Sequence, residues 1–170
     1  MIRHRLQLAI LLATPLALCA QPPCRTTHLT IFDANLAEFR EERTLDLQAG
    51  ANSIEWRSLM PQTYVRTIRV TVGDGLTVAR QDVTYDGPEL HNQKSPVLHL
   101  VIRNGGAAGP RQVQIDYLAP GLSWKADYAL LLDSLGASRT PTELQLDGWV
   151  SVQNDTGTDI CAASVDLVAG

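Results

Sequence analysis

The chain is predicted to be all-β: an antiparallel β-sandwich or open barrel, for which an immunoglobulin-like architecture is one form. Two observations carry that expectation. From Thr27 onward, apolar side chains recur with period two rather than 3.6, as strands with one wet face require. Between the alternating runs stand "QAGAN", "VGDGL", "RNGGAAGP", "APGLS" and "NDTGTD", rich in residues that supply positive φ or pre-set turns. Their spacing predicts nine or ten short strands. At 170 residues, 45% hydrophobic and 19% charged, the chain can bury an ordinary core without a metal to hold it.

Residues 1–20 stand apart from that pattern. Arg3 and Arg5 precede an uncharged apolar run that ends on small residues near Ala20, the layout of a secretory signal. The run is broken by Gln7, Thr14 and Pro15 and is too poorly filled for a membrane span. Export to the periplasm or cell envelope is therefore expected, with residues 21–26 as a linker. Lipid attachment at Cys19 is the competing reading of "LALC", but Leu18 is large where such sites carry a small residue. Removing residues 1–20 takes away two arginines and no acids, moving the formal charge from −4 to −6. Such a surface repels phosphate backbones, which argues against nucleic acid as a partner.

Along the mature chain, "NLAEFREERTLDL" holds Asn35 and Glu38 at capping-box spacing, yet Ala37, Phe39, Leu45 and Leu47 alternate. It is read as a strand with a charged interruption at Glu41 and Arg43; a short helix is the alternative. "ANSIEWRS" turns Ile54 and Trp56 inward, and "RTIRVTV" does the same with Ile68, Val70 and Val72. "GDG" at Gly73–Gly75 has no helix after it and reads as a tight hairpin, not a phosphate loop. "SPVLHLVIRN" is apolar on both parities, as in a central strand covered on two sides. The Gly-rich stretch 104–110 is expected to connect an N-terminal β region, 27–103, to a C-terminal one, 111–170. In the latter, "RQVQIDY" aligns Val113, Ile115 and Tyr117, and "ELQLDGWVSVQN" aligns Leu144, Leu146, Val150 and Val152.

No catalytic set, metal site or cofactor site is legible. His28, His91 and His99 have no metal-site spacing, and Cys24 and Cys161 have no nearby Cys or His. An exported chain often oxidises such a pair of thiols, so a Cys24–Cys161 bridge and two unpaired thiols both stand. "GLSWK" has Lys125 where a nucleophile elbow needs glycine, so Ser123 reads as non-catalytic. Asp82, Asp86 and Glu89, near Tyr85, read as a solvated loop, and "NDT" at Asn154 as a polar hairpin loop. Trp56, Trp124 and Tyr128 are expected to fill the core. Trp149 has the opposite parity from Leu146 and Val150, which makes it the candidate for stacking on a sugar unless a bulge at Gly148 turns it inward.

"YLAPGLSWKADYALLLD" and "LQLDGWVSVQNDTGTDICAASVDLVAG" resemble the core of the mucoidy inhibitor A-like family, exported bacterial proteins whose shared domain has no assigned function. The resemblance rests on Tyr117, Gly121, Ser123, Trp124, Ala126, Asp127, Tyr128, Gly148, Trp149, Asn154, Gly157 and Leu167, and "TIFDANLAEFREERTLDLQAGANSIEW" is similar to that family's N-terminal strand pair. Here the family's long middle segment shrinks to about 86–110, an aromatic is replaced near Ile160-Cys161, and the family continues beyond "SVDLVAG". The resemblance implies either a shortened member or a fragment whose sheet lacks its final strands, with an open sheet edge that would pair with an envelope protein or a second copy. It supplies no catalytic residues. The expected role is non-enzymatic, in protein interaction or structure, with a carbohydrate-binding module as the alternative and a hydrolase behind it.

Overall fold

The computed structural model describes residues 25–87, 89–90, 93–132 and 144–169. It is an all-β chain in which the one helical element among the described residues is a 3-10 turn, Val65–Thr67. The strands are β1 (Arg25–Phe32), β2 (Leu36–Leu47), β3 (Gly50–Trp56), β4 (Arg69–Val72), β5 (Leu76–Thr84), β6 (Glu89–Leu90), β7 (Gln93–Lys94), β8 (Val97–Asn104), β9 (Gly109–Pro120), β10 (Leu122–Leu132), β11 (Leu144–Asn154) and β12 (Ser164–Val168). One sheet has the order β12-β1-β2-β9-β4 and a second the order β3-β8-β5. The inward residues of both sheets form one core: Ile31, Phe39, Ile115 and Tyr117 from the first, Trp56, Leu98, Leu100 and Ile102 from the second. These strands alternate buried and exposed side chains because one face of each sheet packs on the other in a sandwich-like arrangement.

"NLAEFREERTLDL" is the long strand β2, paired along its length to β9. Asn35 caps no helix. It sits in the β1–β2 turn at φ 56 and accepts the Gly121 N–H on its side-chain oxygen at 3.1 Å. Phe39 and Tyr117, directly opposed across that pairing, stack with ring centroids 5.1 Å apart. β8 is the centre of its sheet, with Val97 buried on the outer face and His99 and Val101 half-buried there.

Two connections depart from the sequence reading: the turn at Gly73–Gly75 and the approach to the last strand. The turn at Gly73–Gly75 is tight, with Leu76 N–H bonded to Gly73 O at 3.2 Å, but β4 and β5 belong to different sheets. The turn hands the chain across the sandwich because β4 pairs with β9 and β5 with β8. Residues 104–110 likewise carry the chain from β8 in one sheet to β9 in the other, and β9 lies between β2 and β4. The N- and C-terminal regions thus share one core. Finally, β12 pairs with β1 in parallel, His28 opposite Ser164. The antiparallel β10–β11 pair brings the chain back to Gly121, where Asp155 N–H bonds Gly121 O at 2.7 Å. Residues 155–163 then cross to the other end of β1, where Ala163 N–H bonds Thr27 O at 2.7 Å, so the next strand can only run alongside β1 in the same direction. Ile160 and Ala162 pack against the core during that crossing.

Candidate functional site

β10 and β11 form a two-stranded ribbon that joins neither sheet. Its register is unbroken from Leu122↔Asn154 to Leu132↔Leu144, so no bulge occurs at Gly148. Alternation sorts its side chains onto two unlike faces. On one, Trp124, Ala126, Tyr128 and Leu130 stand opposite Val152, Val150, Gly148 and Leu146, without a charge among them. On the other, Lys125, Asp127, Ala129 and Leu131 stand opposite Ser151, Trp149, Asp147 and Gln145. The apolar face is open: Tyr128 is 71% exposed and Leu146 66%, with Leu130, Val150 and Val152 more than half exposed. A Cβ at Gly148 would lie 3.0 Å from the Tyr128 ring, so the ring rests over the backbone that glycine leaves bare.

The base of the ribbon is fixed to the sandwich. Gly121, at φ +101, bends the chain out of β9, and a Cβ there would meet the Thr156 backbone at 3.2 Å and its Cγ2 at 2.9 Å. Asn154 holds the facing loop, accepting the N–H and hydroxyl of Thr156 at 3.1 and 2.6 Å. Trp124 is half-buried against the core and donates its indole N–H to Val168 O at 3.2 Å. This anchorage presents the apolar face of the ribbon to solvent.

A second cluster lies in the interior. Glu41 is fully buried, and its carboxylate accepts hydrogen bonds from Trp56 Nε1 at 2.9 Å, Ser58 Oγ at 2.7 Å and Tyr117 OH at 2.9 Å. Arg43 lies 3.5 Å from it, hydrogen-bonds Ser58 Oγ, and places its guanidinium 3.9 Å above the Trp56 ring. Burying a carboxylate costs several kcal/mol, roughly offset here by that many donors. Enclosed on all sides, the group ties β2 and β9 of one sheet to β3 of the other. Where the sequence suggests an interruption at Glu41, the structure turns it inward, and its parity with Ala37 and Phe39 is the signal for that.

The outer face of β12, β1 and β2 carries a shallow depression of about 150 Å³. There Ser164 Oγ and His28 Nδ1 are 2.6 Å apart, among Glu38, Glu42 and Asp166. Carboxylates have the wrong sign to steady an oxyanion, and Arg40 in that lining is tied to Asp116 at 2.8 Å. That bond, with the Asp116 charge, raises the Arg40 pKa further above its ordinary value.

The expected site residues divide as follows. Trp56 is fully buried and Trp124 half-buried against the core. Tyr128 is a correction: it was expected in the core and lies in solvent, because β10 leaves the sandwich at Gly121 and finds a single neighbour, β11. Trp149 is 52% exposed on the polar face, opposite Asp127, which pairs with Lys125 at 2.6 Å. Asp82 pairs with Arg80, and Asp86 accepts the Thr84 hydroxyl at 2.6 Å, both on exposed backbone. Cys161 is exposed without a disulfide among the described residues, while Cys24, Cys19, His91 and residues 1–24 lie outside them; of the expected linker 21–26, Arg25 and Thr26 belong to β1, where they pair with Arg43 and Glu42 of β2. Among the described residues, no group of His, Cys, Asp or Glu could hold a metal, and no helix is long and apolar enough to cross a membrane. The class so defined is an all-β, sandwich-like domain with a projecting amphipathic ribbon. No family model, curated protein or solved structure matches the chain.

Proposed function

We propose that this chain is a non-enzymatic, exported cell-envelope domain that works by protein contact, through the apolar face of the β10–β11 ribbon. The observation that carries this reading is the uncovered, uncharged row Tyr128, Leu130, Leu146, Val150 and Val152 on a strand pair whose reverse side carries Lys125, Asp127 and Asp147 beside Trp149 and Leu131. An isolated two-stranded ribbon is marginal in water, and covering one face by another protein removes that weakness. Arg3, Arg5 and the apolar run after them support export, and the resemblance to the mucoidy inhibitor A-like family supports an envelope setting. The test is a photo-reactive amino acid at Leu146 in the intact chain, activated in the cells that make it. Covalent protein adducts, lost when the probe sits at Gln145 on the reverse face, are expected. Adducts to lipid only, or none, would sink the reading.

A second reading keeps Trp149 as a stacking platform for a sugar ring. It is favoured by the exposed indole beside the polar pair Lys125–Asp127, which can hydrogen-bond hydroxyls. Titration with envelope polysaccharides should shift Trp fluorescence in the native chain but not in Trp149→Ala. An unmoved spectrum with every glycan removes it.

A further inference from the structure

We infer that the occupant of the ribbon's apolar face is a second copy of this chain, packed face to face across a two-fold axis so that two ribbons form a four-stranded sandwich. The inference rests on the reading of that face as a protein-contact surface. Three features point to self-association. First, the face carries no charge, so a copy of the same acidic chain meets no like charge there, while Lys125, Asp127 and Asp147 stay solvated on the reverse side.

Second, the face is complementary to itself. Its rows run Trp124–Val152, Ala126–Val150, Tyr128–Gly148 and Leu130–Leu146, so its midpoint falls between the second and third. A two-fold axis across the strands at that midpoint lays the third row of one copy on the second row of the other. Tyr128 then faces Ala126, a large side chain against a small one, and Val150 meets the Tyr128 ring that lies over Gly148. The end rows, with Leu130 and Leu146 on one side and Trp124 and Val152 on the other, close over each other. An isologous interface needs this property, since each residue must fit the surface that its own symmetry mate presents.

Third, the area suffices. The exposed fractions of the five large side chains amount to roughly 500–600 Å² per copy, at the top of what monomers leave uncovered. The pair would bury about 1,000–1,200 Å², the lower bound for a specific interface. Sheets packed at about 10 Å would also give each ribbon the second layer that a lone hairpin lacks.

The experiment is sedimentation of the intact chain at loading concentrations from about 1 to 200 µM, a range that spans interfaces of this size. A monomer–dimer equilibrium is expected. Tyr128→Lys and Ala126→Asp, both on the solvent-facing ribbon, should each weaken it about 100-fold, with unchanged circular dichroism. Mixed in equal amounts, the two variants should regain a heterodimer, because lysine and aspartate then face each other. A control, Ser151→Lys on the reverse face, should leave dimerisation intact. A chain that stays monomeric while photo-adducts from Leu146 contain a different protein overturns the second copy but leaves the contact reading standing. A monomer that instead co-sediments with phosphatidylethanolamine–phosphatidylglycerol vesicles, or binds nothing, overturns both. So does a dimer insensitive to Tyr128→Lys and Ala126→Asp, unless Leu146 photo-adducts link two copies, in which case the symmetry alone is wrong and the self-association stands.

Discussion

Trp56 donates its indole N–H to the Glu41 carboxylate at 2.9 Å, joining the two sheets through a hydrogen bond that no water reaches. Tyr117 and Ser58 complete the acceptor's shell. Removing the carboxylate takes a common acceptor from three donors and separates Arg43 from its counter-charge. Glu41→Ala is expected to lose about 3–5 kcal/mol of unfolding free energy in urea. Glu41→Gln keeps one acceptor oxygen and should lose less, about 1–3 kcal/mol. Equal losses for the two would mean that the side chain acts by volume alone.

Gly121 is the hinge from which the ribbon departs. At φ +101, with the Thr156 backbone 3.2 Å from any added Cβ, alanine there is strained twice over. Gly121→Ala should destabilise by about 1–3 kcal/mol in thermal unfolding. Thr156→Ser removes the Cγ2 contact but not the backbone one, so adding it should not restore the loss. Full rescue by Thr156→Ser would show that the clash is confined to the methyl.

Trp124 ties the ribbon base to the last strand through its bond to Val168 O. Trp124→Ala should cost about 2–4 kcal/mol, below the usual range for a wholly buried tryptophan because this one is only half-buried. Amide hydrogen exchange should speed up in β12 and β10 while β8 and β9 keep their protection. Uniform loss of protection across all strands would contradict a local anchoring role.

Asp86 titrates below the ordinary carboxylate value, chiefly because the Thr84 hydroxyl donates to it, with smaller help from its own backbone amide and the charges of Arg57 and His99. A depressed folded value contributes stability that is present above the unfolded pKa and lost as pH falls through the folded one. Thr84→Val should raise the Asp86 titration toward the ordinary value, followed by carboxyl carbon NMR shifts. An unchanged midpoint would assign the depression to the neighbouring cations instead.

Much of the strand pattern was legible because burial writes itself into parity. Val113, Ile115 and Tyr117 alternate, and all three lie in the core. The same rule misled at Tyr128. Leu146, Val150 and Val152 alternate as cleanly as the core strands, yet they face solvent. Alternation marks an apolar face; it does not say whether a second layer covers that face. Glu41 failed in the opposite sense, since a charge at an inward position looks like a break until its donors from β3 and β9 are assembled around it.

By itself, then, the order of residues determined the all-β class, the inward set of the core strands and the places where the chain turns. Only the tertiary structure decided which strands share a sheet, that β12 runs alongside β1, and that the ribbon beyond Trp124 leaves the sandwich and exposes Tyr128. The reason is that period and turn chemistry act between neighbours in the chain, whereas sheet order and coverage depend on hydrogen bonds and packing between residues as distant as Thr27 and Ala163.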